Sequence, residues 1–250
     1  MSEQRLGGLR ALVTGGGQGI GAAITACLRR DGATVLVTDA NPATDPDVVA
    51  DVSSTADVDR LFVAVRERLG GLDLLVNNVG IAGPTAAVQD MDPDAFDECV
   101  RIDLGSMFRC TRLAVPLLRE RKGSIVNISS TAGLYGFPLR SPYAAAKWGV
   151  IGLTKTWAME LGPEGIRVNA ICPGSVSGPR MDGVIEREAA ARGVEPQVIR
   201  DLYTGQVSMR SFIDASDIGE TVAWLASPAA RFVSGQALSV DGHTETLATL

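Results

Sequence analysis

Hydrophobic positions along the chain fall into two alternating kinds of run. Short continuous apolar stretches bounded by glycine or polar residues read as buried strands, and longer stretches with apolar positions three and four apart read as helices. The first kind predicts strands at Leu9–Thr14, Thr34–Asp39, Val48–Val52, Leu72–Gly80, Gly123–Ser130, Gly165–Ile171 and Gly235–Gly242. The second predicts helices over Ala22–Arg30, Thr55–Leu69, Pro93–Arg119 (in one piece or two), a segment carrying Tyr143 as far as Leu161, and Ala215–Ala226 behind the cap Asp214. Such alternation predicts the α/β class, a doubly wound parallel sheet of about seven strands with helices on both faces. The rhythm breaks across 175–212, where Asp182–Gly193 and Glu195–Tyr203 read as charged helices. An insertion leaving the carboxyl edge of a strand is placed to serve as a lid over a pocket, or it is a solvated excursion. No linker or low-complexity stretch interrupts 1–250, which reads as a single domain.

Glycines mark the first junction. Strand, then Gly15-Gly-Gly-Gln18-Gly19-Ile20-Gly21, then helix is the arrangement in which backbone N–H groups and a helix N-terminus cradle a diphosphate. Glycine lets the backbone approach the ligand without Cβ atoms between them. The second strand ends in Asp39, an acid placed to accept hydrogen bonds from ribose hydroxyls and to repel a 2′-phosphate. No Lys or Arg lies in Gly15–Gly21 or directly after Asp39, so the pattern favours NAD over NADP. Asn77, Asn78 and Gly80 close a later strand, where ligands sit in open parallel sheets or where amides simply form turns.

Proton chemistry is suggested by Tyr143 and Lys147, four residues apart with three alanines between them. A helix would put both on one face, where a fixed ammonium favours the phenolate and makes the tyrosine a usable acid or base. Neither Tyr135 nor Tyr203 has a lysine at that spacing, and the hydroxyl of Ser130 follows a strand just upstream of Tyr143. A single histidine, His243, close to the C-terminus argues against a histidine-based triad or a multi-histidine metal site. Cys27, Cys99, Cys110 and Cys172 lack paired metal spacing and read as small buried hydrophobes, and no metal is expected. A net charge of −6 without basic runs argues against nucleic acid or an anionic membrane as partner. Met1 to Arg10 has no apolar stretch resembling a signal peptide, and no run approaches a membrane span, which points to a cytoplasmic setting.

Taken together these residues resemble the short-chain dehydrogenase/reductase family, in its shorter single-domain branch. Thr14-Gly15-x-x-x-Gly19-x-Gly21 matches the family's cofactor signature, Asp51-Val52 its adenine-contacting pair, and Asn77-Asn78-Val79-Gly80 its NNAG motif with valine for alanine. Ser130, Tyr143 and Lys147 fall on the catalytic serine, tyrosine and lysine, Pro173-Gly174 on the turn beside the nicotinamide, and Val240-Asp241-Gly242 on the common ending. The resemblance implies a Rossmann-type fold, an NAD cofactor held by these motifs together with Gln18, Ile20 and Val176, a small alcohol or carbonyl substrate, and a homotetramer packed through the Tyr143 helix and the last strand. Two positions depart from the pattern. Asp103 stands where the family has an asparagine that anchors a proton-relay water, and Ser177-Gly178-Pro179 replaces the usual threonine after the turn. An ionised Asp103 would weaken the influence of Lys147 on Tyr143. The implied activity is reversible, NAD-dependent alcohol oxidation. An NADP-dependent carbonyl or 3-oxoacyl reductase and a non-catalytic NAD-sensing protein are the alternatives. Arg180, Arg187, Arg192, Tyr203 and Arg210 in the insertion hint at a polar or anionic substrate, such as a hydroxy acid or sugar derivative, or are solvated surface.

Overall fold

A computed structural model describes residues 5–247. The ends of the predicted domain span, 1–4 and 248–250, lie outside the described residues. Seven strands form one parallel sheet: β1 (Arg10–Thr14), β2 (Thr34–Asp39), β3 (Val48–Val49), β4 (Leu74–Asn77), β5 (Ser124–Ile128), β6 (Arg167–Pro173) and β7 (Ala237–Val240). Their order across the sheet is β3-β2-β1-β4-β5-β6-β7. The central strands are buried on both faces, which is why they read as unbroken apolar runs rather than alternating ones.

Helices cover both faces. On one side α2 (Thr55–Leu69), α4 (Ser106–Arg119) and α5 (Ser141–Leu161) close a core containing Leu61, Phe62, Leu118 and Trp157. On the other, α1 (Gly19–Arg30) and α8 (Ala215–Ala226) pack around Ile24, Leu28, Ile218 and Val222. Local chemistry sets the helix ends. Ser54 caps α2, Gly70 ends it at φ 65°, and Asp214 with Asp217 forms a capping box before α8.

The structure corrects several boundaries. The third strand stops at Val49 instead of Val52, because Asp51 turns its carboxylate onto the Ser53 N–H at 2.8 Å and the chain curls into the cap of α2. β4 and β5 are shorter at both ends than the predicted runs, since ladder pairing stops where the chain fans out toward the site. β6 runs later, to Pro173, and α1 begins at Gly19, three residues early, because the glycines form its first turn. The long predicted helix is two pieces, α3 (Pro93–Val100) and α4, joined by a π-helical turn over Arg101–Gly105 that contains Asp103.

Between β6 and α8 stand α6 (Pro179–Arg192) and α7 (Pro196–Gly205). Rather than being wholly solvated they share a small apolar cluster, Ile185, Ala189, Ile199 and Tyr203, against which Phe137, Met181 and Phe212 pack. All four cysteines are free and buried. None of the described helices is long and apolar enough to cross a membrane.

Candidate active site

Sheet order reverses between β1 and β4, and the carboxyl ends of the strands around that point open into a cavity of about 740 Å³. Ser130, Tyr143 and Lys147 line this cavity together with Gly15, Gln18, Gly19, Ile20, Gly21, Asp39, Asp51, Val52, Asn78, Gly80, Pro173, Gly174 and Val176. Asp103, Thr14, Asn77 and the Val240-Asp241-Gly242 ending do not.

The glycine-rich turn is built to need its glycines. Gly15 and Gly19 have φ of 60° and 53°, and a Cβ on Gly21 would lie 2.0 Å from the Gly15 carbonyl oxygen. Asn78 braces the turn, with Nδ2 donating to the carbonyls of Thr14 at 3.1 Å and Gly15 at 2.9 Å. The two asparagines at the end of β4 therefore diverge. Asn77 points into the core, where it donates to Asn127 at 2.8 Å and to Thr111 at 3.1 Å, and only Asn78 faces the cavity. Asp39, at the tip of β2, accepts from the Gly17 N–H at 3.3 Å and from the Asn41 N–H at 3.0 Å, so its carboxylate is held at the cavity edge beside the glycine turn.

At the other end, α5 presents Tyr143 and Lys147 one turn apart, with Nζ 5.5 Å from the Tyr143 ring centre. Lys147 is 3% exposed. Its Nζ donates to the Ile128 carbonyl at 3.3 Å and stands 3.5 Å from Oδ2 of Asp103, which is fully buried behind it. Oδ1 of Asp103 accepts from the Ile81 N–H at 2.7 Å. The π turn widens the helix enough to aim this carboxylate inward, a local device often found at functional sites. Gly80 packs on the pair, where a Cβ would lie 3.1 Å from Nζ and 3.2 Å from Oδ2. Ser130 Oγ accepts from the Ala132 N–H at 3.1 Å, which leaves its own proton to donate into the cavity.

Of the residues singled out in the 175–212 excursion, Ser177, Arg180 and Tyr203 line the cavity, with Arg180 donating to the Gly80 carbonyl at 2.8 Å, and Arg187 is exposed outside it. Arg192 instead holds the buried Glu188 at 2.8 Å, and Arg210 bonds the Gly205 carbonyl. Tyr203 donates to Glu188 at 2.6 Å, and burial together with that bond pushes its phenol well above the ordinary range. Sequence reasoning passed over Arg140. It is 2% exposed, lines the cavity, and its guanidinium carbon lies 5.2 Å from the Tyr143 ring centre. An arginine just before a helix usually points to solvent, and nothing in its neighbours signals otherwise.

Comparison with known proteins covers nearly the whole chain. The family model described as Enoyl-(Acyl carrier protein) reductase matches residues 15–243. The D-beta-hydroxybutyrate dehydrogenase of Cupriavidus necator is 35% identical, over 95% of this chain and 98% of that one. The 3-oxoacyl-(acyl-carrier-protein) reductase of Thermotoga maritima is 32% identical over the same shares. Among solved structures, an NAD⁺-bound xylitol dehydrogenase superposes with a TM-score of 0.90 at 30% identity, covering 96% of this chain and 100% of that one. An actinorhodin polyketide ketoreductase with NADPH superposes at 0.87 and 34% identity, covering 94% and 96%.

Proposed function

The chain belongs to the short-chain dehydrogenase/reductase family, and on that premise we propose an NAD-dependent enzyme that interconverts a secondary alcohol and a ketone, with Tyr143 as the acid and base. It is an oxidoreductase with a nicotinamide cofactor.

The residues present fit a dinucleotide. A Cβ on Gly19 would meet no protein atom within 4 Å, so the first turn of α1 stands open toward the cavity with its N–H groups free for a diphosphate. Gly15, Gln18, Ile20 and Gly21 complete that turn with Asn78 braced on it, and Asp51 and Val52 line the adenosine side. Gly80, beside Lys147, lines the side toward Tyr143 with Pro173, Gly174 and Val176. Asp39 carries the choice of NAD. A carboxylate held at that edge accepts ribose hydroxyls and repels a second phosphate, and no arginine or lysine lines the cavity beside it. When bound, the nicotinamide supplies the hydride acceptor.

In the chemistry assigned to the chain itself, Tyr143 takes the substrate's hydroxyl proton in oxidation and returns it in reduction. Lys147 stabilises negative charge on the phenolic oxygen, and Asp103, facing it from behind, offsets part of that positive field. Ser130 donates to the substrate oxygen and steadies the charge it acquires. The helices α6 and α7 close the cavity as a lid, with Val184 and Tyr203 on its inner wall. A homotetramer is part of the same proposal. It is supported by Phe108, Trp148 and Met159, which leave apolar surface uncovered on α4 and α5, and by Phe232 and Trp224 near the last strand.

The observation that carries the proposal is the convergence of Ser130, Tyr143 and Lys147 on the cavity whose far end holds the glycine turn and Asp39. The test is NAD reduction at 340 nm with a panel of secondary alcohols, run beside Tyr143→Phe and with NADP in parallel. Wild-type rates in Tyr143→Phe would remove the tyrosine from the reaction, and tighter binding of NADP than of NAD would overturn the role given to Asp39.

A further inference from the structure

Two charged groups in the cavity wall, Arg140 and Arg180, are left without a task by the proposed reaction, and of the two only Arg140 is buried. It is the bulkiest fully buried side chain among the described residues. Its Nη2 donates to the Ala82 carbonyl, while Nε and Nη1 have no hydrogen-bond partner among the described residues. The carboxylate that acts on it most, Glu188, is already held by the Tyr203 hydroxyl and by Arg192. Instead of a counter-charge the guanidinium has two aromatic rings, with its carbon 5.1 Å from the centre of Phe137 and 5.2 Å from that of Tyr143. Ring faces offset only part of the cost of taking a full charge out of water. A buried cation in the wall of a ligand cavity, with donors that no described residue pairs, has the chemistry to receive an anion.

The backbone supports this placement independently. Leu139, immediately before Arg140, has φ 64°, a conformation that residues other than glycine seldom adopt, and its carbonyl accepts from the Ala86 N–H at 3.0 Å. Strain of this kind persists where the surroundings over-determine it, and it gathers at ligand clamps and active sites. Here it fixes the turn that directs Arg140 beneath the cavity instead of outward.

We infer that Arg140 receives a carboxylate of the substrate, and that the enzyme therefore acts on a hydroxy acid or its keto acid, with the acid group on Arg140 and the hydroxyl at Tyr143 and Ser130. This deepens the function proposed above and rests on it. Since Arg140 stacks on the ring of Tyr143, a carboxylate bonded to it lies beside the reacting phenol, which suits a short chain between charge and hydroxyl. The names of the relatives do not make this choice. They include a hydroxysteroid and a chlorinated cyclohexadienediol as well as a hydroxy acid. Of the arginines in the lid, Arg192, Arg200 and Arg210 are engaged within it, and Arg187 is exposed and lies off the cavity. Arg180 is exposed and bonded to Gly80, so Arg140 is the buried arginine in the cavity wall. Phe137, which covers one face of the guanidinium, packs into the apolar cluster of α6 and α7. Movement of the lid thus uncovers Arg140 for the incoming acid and closes over the pair once formed.

The test is calorimetric titration of the full chain, loaded with its nicotinamide cofactor, with acetate, butyrate and benzoate and with the neutral amide of each. Wild-type protein is expected to bind at least one carboxylate about tenfold or more above its amide, a preference lost in Arg140→Gln and partly restored in Arg140→Lys. No preference in the wild type, or one that persists in Arg140→Gln, overturns the inference. If Arg140→Gln does not fold, the wild-type and Arg140→Lys titrations decide. Turnover separates this inference from the reading it rests on. Racemic 3-hydroxybutyrate should exceed 3-hydroxybutyramide in kcat/KM, mainly through KM, and the ratio should collapse in Arg140→Gln. Neutral alcohols oxidised better than every acid would refute the role of Arg140 and leave the dehydrogenase standing. Carboxylate binding with no alcohol oxidised at all would refute the dehydrogenase and leave the Arg140 site standing.

Discussion

Replacing Asp103 separates the two things a carboxylate does beside Lys147. Its Oδ2 is 3.5 Å from Nζ, with the two side chains 0% and 4% exposed. At that separation and an effective dielectric of about 20, the Coulomb attraction is about 5 kcal/mol. Taking each ion out of water costs several kcal/mol, so the pair contributes little net stability over an apolar substitute for both partners. Removing one partner has no such cancellation. Asp103→Leu would leave the buried ammonium with the Ile128 carbonyl at 3.3 Å as its hydrogen-bond partner, and would also orphan the Ile81 N–H. Gly80 packs so closely on both groups that little room remains for water to enter as a substitute. The expected cost is about 3–5 kcal/mol. Asp103→Asn keeps an oxygen for the Ile81 N–H and a polar face toward Nζ, so its cost should stay below about 2 kcal/mol. For a chain of this size 1 kcal/mol moves the melting point by roughly 2–4 °C, so the two variants should be clearly resolved. Urea unfolding at pH 7 and one fixed protein concentration makes the measurement, because assembly would otherwise shift the midpoint. Equal losses in the two variants, or a loss under about 1 kcal/mol in Asp103→Leu, would refute the ion pair as drawn.

Two other predictions follow from the scaffold. Burial would push the Asp73 carboxyl up, but the hydrogen bonds and charge of Arg10, at 2.8 and 2.9 Å, with Arg121 further off, hold it below the ordinary carboxylate value. A depressed acid stabilises the fold above its unfolded pKa of about 3.9 and loses that contribution as pH falls through its folded value. Asp73→Asn should therefore be less stable than wild type at pH 7, with the gap in urea midpoint narrowing from pH 5 to pH 3. A gap that is constant with pH would contradict the pairing. The uncovered apolar faces of α4 and α5 predict a tetramer by light scattering, and Trp148→Glu should shift it toward smaller species. A wild-type monomer at micromolar concentration would end that proposal.

The elements that agree between sequence and structure share a physical reason. Thr34–Asp39 keeps the same bounds in both because its buried run is unbroken, and Thr55–Leu69 and Ala215–Ala226 because a capping residue coincides with the start of the apolar period. The misread stretches are those where side-chain chemistry overrides the period. Asp51 closes a polar turn where an apolar run continues, and the π turn at Arg101–Gly105 adds a residue without disturbing the spacing on either side.

The same division runs through the site. Tyr143 with Lys147 was legible because its geometry is contained in four residues of one helix, and the glycine turn because strand and helix fix it on both sides. Asn77 and Asn78 look identical as residues, and only the pleat of β4 sends one to the core and the other to the glycine turn. Arg140 is the extreme case. Its significance lies in partners it does not have, a property that arises only when loops distant in sequence enclose it. A spacing within one element can be read from the chain, whereas an unpaired buried charge emerges only from the whole fold. An anionic substrate was suggested in the sequence by the lid arginines, and what the sequence could not supply was Arg140 as the residue to receive the charge.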